Sequence, residues 1–200
     1  MKTKTLSIDY YQFNELNDDA KEKARDWYRN GAFDYEWYDF TYEYVTQCAA
    51  AIGIQIDRIY FSGFWSQGDG ACFEGSYSYK LKSVQSIKEF APNEKELHRI
   101  AEQLAKIQKK HFYGLNAKVK HSGHYYHSYC TDITVYKNYD YLNSESEYQA
   151  ENDIIELLRN FMNWIYKRLE NDYEWLNSNE QIDESIISNE YEFDIKGNRI

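Results

Sequence analysis

The sequence predicts an α+β fold, an antiparallel sheet of two hairpins packed with about four helices. Three observations predict it. Stretches with apolar residues three and four apart give way to stretches with apolar residues at every second position. The strand-type stretches come in neighbouring pairs, and helices do not separate single strands as a doubly wound sheet requires. Aromatic residues make up 18% of the chain, 21 of them Tyr, which supplies core despite a mean hydropathy of −0.83. Tyrosine scores as polar yet buries a large ring once its hydroxyl has a partner. A length of 200 residues suits a single domain over 1–200. A chain of this size buries roughly 70% of its unfolded surface and needs no staple.

Residues 5–11 alternate weakly through Leu6, Ile8 and Tyr10 and read as a strand. Asn17 caps a first helix through about Trp27, with Asp18 and Asp19 in its positive first turn. Leu16, Ala20, Ala24 and Trp27 share a face, and Gly31 is the stop. A second helix is expected from about Asp34 to Ile52, with Trp37, Phe40, Thr41, Tyr44, Cys48 and Ala51 on its apolar side and Gly53 ending it. Two strands follow, at about 54–65 and 71–80. In the return strand Ala71, Phe73, Gly75, Tyr77 and Tyr79 take one face, and Cys72, Glu74, Ser76 and Ser78 the other. The outgoing strand changes parity between Ile56 and Ile59, which a bulge near Arg58 reconciles. Ser66-Gln67-Gly68-Asp69-Gly70 connects the two strands. A third helix runs from about Glu94 to Lys110 behind Pro92, with Leu97, Ile100, Ala101, Leu104 and Ile107 as its stripe. Residues 115–136 read as a second hairpin, Leu115–His121 and His124–Tyr136, with one long bent strand as the alternative. A fourth helix at about Glu151–Leu176 carries Ile154, Leu158, Phe161, Ile165 and Leu169. The tail EYEFDIKGNRI reads as a short strand and a turn.

Residues 1–139 hold 18 acidic and 18 basic side chains and residues 140–200 hold 15 and 5, so the net charge of −10 lies in the last third. A charge run usually marks a solvated face. The sharper reading is an acidic surface that docks on a basic partner. Cys48, Cys72 and Cys130 form no CxxC pair, so neither a zinc site nor a disulfide framework is indicated. The opening MKTKTLSIDYYQ has no apolar run behind its lysines, so no signal peptide is expected, and no membrane span is expected either. A reducing cytoplasm is the default compartment.

Two segments could carry chemistry. The 66–70 loop combines two glycines with Ser66, Gln67 and Asp69. It lacks the lysine and spacing of a phosphate loop. Its plainer reading is that Asp69 and Ser66 bond to the turn itself. The second segment is HSGHYYHSYC, 121–130. Strand parity keeps His121, His124 and His127 from converging, so no metal is expected and no cofactor is implied. Cys72 or Cys130 with His127 as base and Asp69 as orienter has the residue types of a thiol nucleophile, but no spacing demands it. Stacking of YYHSY on bases beside the 106–120 lysines is opposed by the whole-chain charge, so direct nucleic-acid binding is not expected.

Together, YQFNELNDDAKEKARDWYRNG, FSGFWSQGDGACFEG, GHYYHSY and EYEFDIKGNRI resemble a widespread family of small bacteriophage and prophage proteins often labelled antitoxin-like, of toxin–antitoxin stability systems. The resemblance implies a bacterial cytoplasmic setting and a protein partner, and supplies no catalytic residue. The leading expectation is a phage-type, non-enzymatic protein that binds and neutralises another protein, either a toxin or a host defence component such as a CRISPR effector. The contact residues would be Glu145, Glu147, Glu151, Asp172, Glu174, Glu180, Asp183 and Glu184, because charge complementarity speeds encounter. The alternative is a small enzyme or ligand-binding domain whose site joins Ser66, Gln67, Asp69 and Cys72 to His124 and His127. A self-associating phage component is the third reading.

Overall fold

The computed structural model describes residues 9–31, 36–137 and 145–200. In chain order they form β1 (Tyr11–Gln12), a 3₁₀ turn (Phe13–Glu15), α1 (Asp18–Gly31), α2 (Asp39–Ala51), β2 (Ile54–Ser62), β3 (Gly70–Ser78), α3 (Ser83–Phe90), α4 (Lys95–Lys110), β4 (Leu115–His121), β5 (Thr131–Lys137), α5 (Glu145–Leu176), α6 (Asn179–Ser188) and β6 (Glu192–Phe193). The fold is α+β, and its main sheet is antiparallel in the order β2-β3-β4-β5, two hairpins side by side. Contacts divide the chain into a larger unit, Asp39–Glu170, and a smaller one, Met1–Tyr38 with Asn171–Ile200.

In the larger unit, one face of the sheet is core. Ile54 pairs with Tyr77 and Ile59 with Phe73, and Ala117 lies across from Tyr77 on β4. The odd-numbered face of β3 is therefore buried as the alternation predicts, with Ala71, Phe73 and Tyr77 at most 2% exposed. The Phe73 ring meets Phe161 of α5 edge-on at 5.8 Å. Burying each such side chain contributes roughly 1.5–3 kcal/mol, and Phe161→Ala would open this core at a cost of about 3–5 kcal/mol. The predicted bulge is present, a register shift between Ile56 and Arg58. Gly75 sits opposite it, because a Cβ there would lie 1.9 Å from the Gln55 carbonyl oxygen.

Two polar anchors tie the elements together, one from α4 to the sheet and one between α4 and α5. Gln108 ends α4 wholly buried, and its Nε2 donates to the Leu115 carbonyl at 2.6 Å and to the Tyr77 hydroxyl at 3.3 Å. Glu94, before α4, accepts from the Trp164 indole of α5 at 2.8 Å. These bonds satisfy groups that would otherwise be buried unpaired.

Several boundaries differ from the expectation. The second helix begins at Asp39, and the expected start at Asp34 lies outside the described residues. Its buried stripe is Thr41, Val45, Cys48 and Ala49, and Phe40, one residue out of phase, is 85% exposed. The connection between β2 and β3 covers 63–69 rather than 66–70, and β5 starts at Thr131 rather than His124. Among the described residues there are six α-helices rather than about four. α3 is too short for a periodic signal. α6 did carry one, Ile182 and Ile186 four apart behind the Ser178 cap.

The smaller unit joins distant segments. β1 and β6 pair antiparallel, Tyr11 with Phe193. Its core is Phe13, Leu16, Ala20, Ala24, Ile182, Ile186 and Phe193. Asn17 caps α1 as predicted, its Oδ1 accepting the Ala20 N–H at 2.9 Å. The expected strand residues Leu6 and Ile8 lie outside the described residues. The predicted turn at 196–198 is held by Asp194, whose carboxylate accepts from the backbone of Lys196 and Asn198. Among the described residues, no helix is long and apolar enough to cross a membrane.

Candidate binding site

At one end of the main sheet two long loops meet. The first, 63–69, leaves β2 after Ser62. Phe64 fixes it, lying 6.0 Å from the Phe61 ring and 5.6 Å from Tyr166 of α5. The tip closes on itself. The Asp69 carboxylate accepts the Ser66 N–H at 2.7 Å, while the Asp69 N–H donates to the Ser66 carbonyl at 3.1 Å. Asp69 therefore serves the turn, and Gly68 takes the positive φ of +93° it needs. Trp65 also has positive φ, +69°, and is 69% exposed. A left-handed backbone costs a bulky L-residue roughly 1–2 kcal/mol, and the Trp65 ring touches the neighbouring Phe64 at 5.7 Å while most of its surface stays exposed.

The second loop, 122–130, folds back through its own backbone. Ser122 N–H donates to Cys130 O at 2.8 Å and Cys130 N–H to His127 O at 2.9 Å. Tyr125 lies against the first loop, since a Cβ on Gly68 would meet its ring at 3.1 Å. Gly70 lies under His127, where an added Cβ would stand 2.6 Å from the backbone. The two predicted segments are thus neighbours. Exposed aromatic side chains crown this loop as they do the first, Tyr125 at 54% and Tyr129 at 68%. The Arg159 guanidinium of α5 lies 4.6 Å from the Tyr129 ring centre.

The expectation placed His124 and His127 on a strand. Both sit in the loop, because the ladder with β4 ends at His121 and Thr131. Ser66, Gln67 and His124 are exposed, and Asp69 and His127 half-buried. Cys72 was expected on the face opposite Phe73, and on that face it is wholly buried. The second loop covers this end of that face, with Cys130 close enough to act electrostatically on Cys72. Trp65, Tyr125 and Tyr129 were not among the predicted site residues. Their signal was several aromatics in glycine- and serine-rich stretches too long for tight turns.

The chemistry of the thiols follows from geometry. His127 Nδ1 accepts the Tyr129 N–H at 3.2 Å, so the proton of the neutral ring resides on Nε2, 3.4 Å from Cys130 Sγ. The nitrogen that faces Cys130 already carries the hydrogen and cannot accept another, and protonating Nδ1 instead would break the Tyr129 bond. The pair is poorly arranged as nucleophile and base. Burial pushes the Cys72 thiol up to about 12, and a thiol that stays protonated is a poor nucleophile. Among the described residues, no group of three or more His, Cys, Asp and Glu is placed to hold a metal ion.

Beside the loops, the open face of the sheet carries a polar aromatic cluster. The Tyr60 ring stacks on His121 at 5.0 Å and on Tyr126 at 5.3 Å, and Arg58 lies 4.7 Å from its centre. Glu74 holds the cluster, accepting the Tyr60 hydroxyl at 2.9 Å and the His121 N–H at 3.2 Å. These two bonds, the Tyr60 one foremost, keep the Glu74 carboxyl below its ordinary range. The bond to Glu74 also raises Tyr60.

The acidic residues expected to meet a partner are divided. Glu145 and Glu147 open α5, and their side chains lie outside the described set. Glu151 belongs to the larger unit, while Asp172, Glu174, Glu180, Asp183 and Glu184 belong to the smaller. Glu174, Glu180 and Glu184 are exposed, and Glu151 and Asp172 half-buried. Asp183 is engaged internally, accepting two bonds of 2.7 Å from Arg25.

No curated protein and no solved structure matches the chain. Residues 37–179 match a family described as a domain of unknown function, DUF8835. That span includes the whole main sheet, both loops and all of α2 to α5, and the chain belongs to this family.

Proposed function

We propose that the protein acts by binding another protein, and that the paired loops at the end of the main sheet make the contact. The observation that carries this reading is Trp65, held at a positive φ with its indole exposed. Backbone strain kept at an exposed loop tip points to a role outside the fold. Trp, Tyr and Arg dominate the energetics of protein interfaces, and Tyr125, Tyr129 and Arg159 supply the others here. The resemblance to antitoxin-like phage proteins favours a toxin or host defence component as the target, neutralised by occlusion. Acidic side chains, Glu174, Glu180 and Glu184 among them, would then speed the encounter rather than form its centre.

The test is affinity capture from bacterial lysate with three baits compared by mass spectrometry. They are the wild type, a Trp65→Gly/Tyr125→Ala/Tyr129→Ala variant, and a charge reversal at Glu174, Glu180 and Glu184. The expected result is one partner lost with the aromatic variant and retained, more slowly bound, with the charge variant. A partner held equally by all three baits removes both surfaces.

A second reading is supported by the packing of Gly68 on Tyr125 and Gly70 on His127. There the two loops hold a small ligand between Gln67 and His124. Ligand-induced chemical-shift changes confined to these loops, with no protein captured, would favour it.

A further inference from the structure

The two edges of the main sheet are built differently. β2 is blunted by the bulge between Ile56 and Arg58 and by exposed Asp57 and Arg58, the usual protection of an edge strand. β5 pairs with β4 from Thr131 to Lys137 without a register shift. The bond from Ser122 N–H to Cys130 O fixes the phase of that ladder. It makes His121–Thr131 a non-hydrogen-bonded pair, so Asp132, Thr134 and Tyr136 bond towards β4. Ile133 and Val135 therefore aim their N–H and C=O groups outward. Neither residue has a hydrogen-bond partner for them among the described residues.

We propose that β5 is an association edge and that its occupant is β5 of a second copy, antiparallel about a two-fold axis at Thr134. The sequence of the strand is complementary to itself in that register. Ile133 meets Val135 of the other copy as a hydrogen-bonded pair, which is where the outward groups lie. Thr134 meets its own counterpart as a non-hydrogen-bonded pair, and Asp132 faces Tyr136. β-branched residues stabilise such cross-strand pairs, and no like charges stand opposite. The result is one continuous eight-stranded sheet. The proposal is separate from the loop contact, since β5 begins after the second loop ends.

The test is sedimentation velocity of the whole chain over a concentration series, with three variants. Thr134→Glu places a carboxylate beside its own Lys118, which favours the single copy, and opposite its symmetry mate, which opposes the pair. It is expected to weaken the dimer by about fivefold. Val135→Pro removes an outward donor without touching the β4 ladder and is expected to abolish the dimer. Circular dichroism confirms that both fold. Thr134→Cys is expected to cross-link on mild oxidation under conditions that leave the wild type uncrosslinked, because Cα atoms of a non-hydrogen-bonded pair lie about 4.5 Å apart. A wild type that stays monomeric at its highest soluble concentration overturns the proposal. So does a dimer indifferent to Thr134→Glu and Val135→Pro.

Discussion

Gly70 lies against His127 so closely that an added Cβ would stand 2.6 Å from both the Cα and the Cβ of the histidine. The obstacle is backbone, which cannot swing aside as a side-chain tip can. Gly70→Ala is expected to destabilise the protein by about 1–3 kcal/mol and to broaden the resonances of 122–130. Urea unfolding and amide spectra measure the two effects. Unchanged stability would mean the loops separate at no cost.

Trp65→Gly relieves a left-handed backbone, worth roughly 1–2 kcal/mol, and gives back roughly 0.5–1 in chain entropy. The expected outcome is stability unchanged or raised by up to about 1 kcal/mol, read from the thermal or urea midpoint. A clear loss of stability would assign the indole a packing role and remove the main support for the loop interface.

Asp183 and Glu184 are neighbours in α6 with different duties. Asp183 accepts two bonds from Arg25 with both side chains largely covered, so Asp183→Ala should cost about 1–3 kcal/mol. Exposed Glu184→Ala should stay within about 0.5 kcal/mol. Equal effects would show that the Arg25 bond contributes nothing to the fold.

Glu74 is depressed in the folded protein by the Tyr60 hydroxyl and the His121 N–H. Its contribution is full above the unfolded glutamate range, near about 4.3, and is lost as pH falls through the lower folded value. Stability measured between about pH 6 and 3 should therefore fall less steeply for Glu74→Gln than for the wild type. Parallel profiles would contradict the assignment.

The three cysteines should react in a fixed order. Cys48 and Cys72 are buried, with their thiols pushed up to about 11 and about 12 by desolvation, whereas Cys130 is partly exposed. Native iodoacetamide labelling near neutral pH should modify Cys130 first, seen by peptide mass spectrometry. Early labelling of Cys72 would reopen the thiol-nucleophile reading.

The main sheet was legible because its strands keep strict parity wherever one face is core. The parity break between Ile56 and Ile59 even located the bulge. The loops were not legible. Glycine pairs at 66–70 suggested a tight hairpin, but Phe64 is drawn onto Tyr166 of α5, a contact more than a hundred residues away in sequence that lengthens the connection. His124 and His127 likewise left the strand, since Tyr125 packs on Gly68 and His127 on Gly70, both more than fifty residues away in sequence. Charge misled in another way, since composition counts Asp183 as surface and cannot see Arg25 closing on it. Trp65 flanks the glycine-rich loop in the sequence, but nothing in a sequence reports the sign of a backbone angle.

The pairing of β1 with β6 has a consequence for biogenesis. Tyr11 emerges from the ribosome early and its partner Phe193 very late, while the whole of Asp39–Glu170 is translated in between. The strands of the larger unit are contiguous in the chain and can begin to pair before α6 and β6 are made. The smaller one must hold its first helix without tertiary support until α6 and β6 arrive. Translation rate and holding chaperones will therefore act on the two units unequally, because the smaller one waits for both ends of its fold.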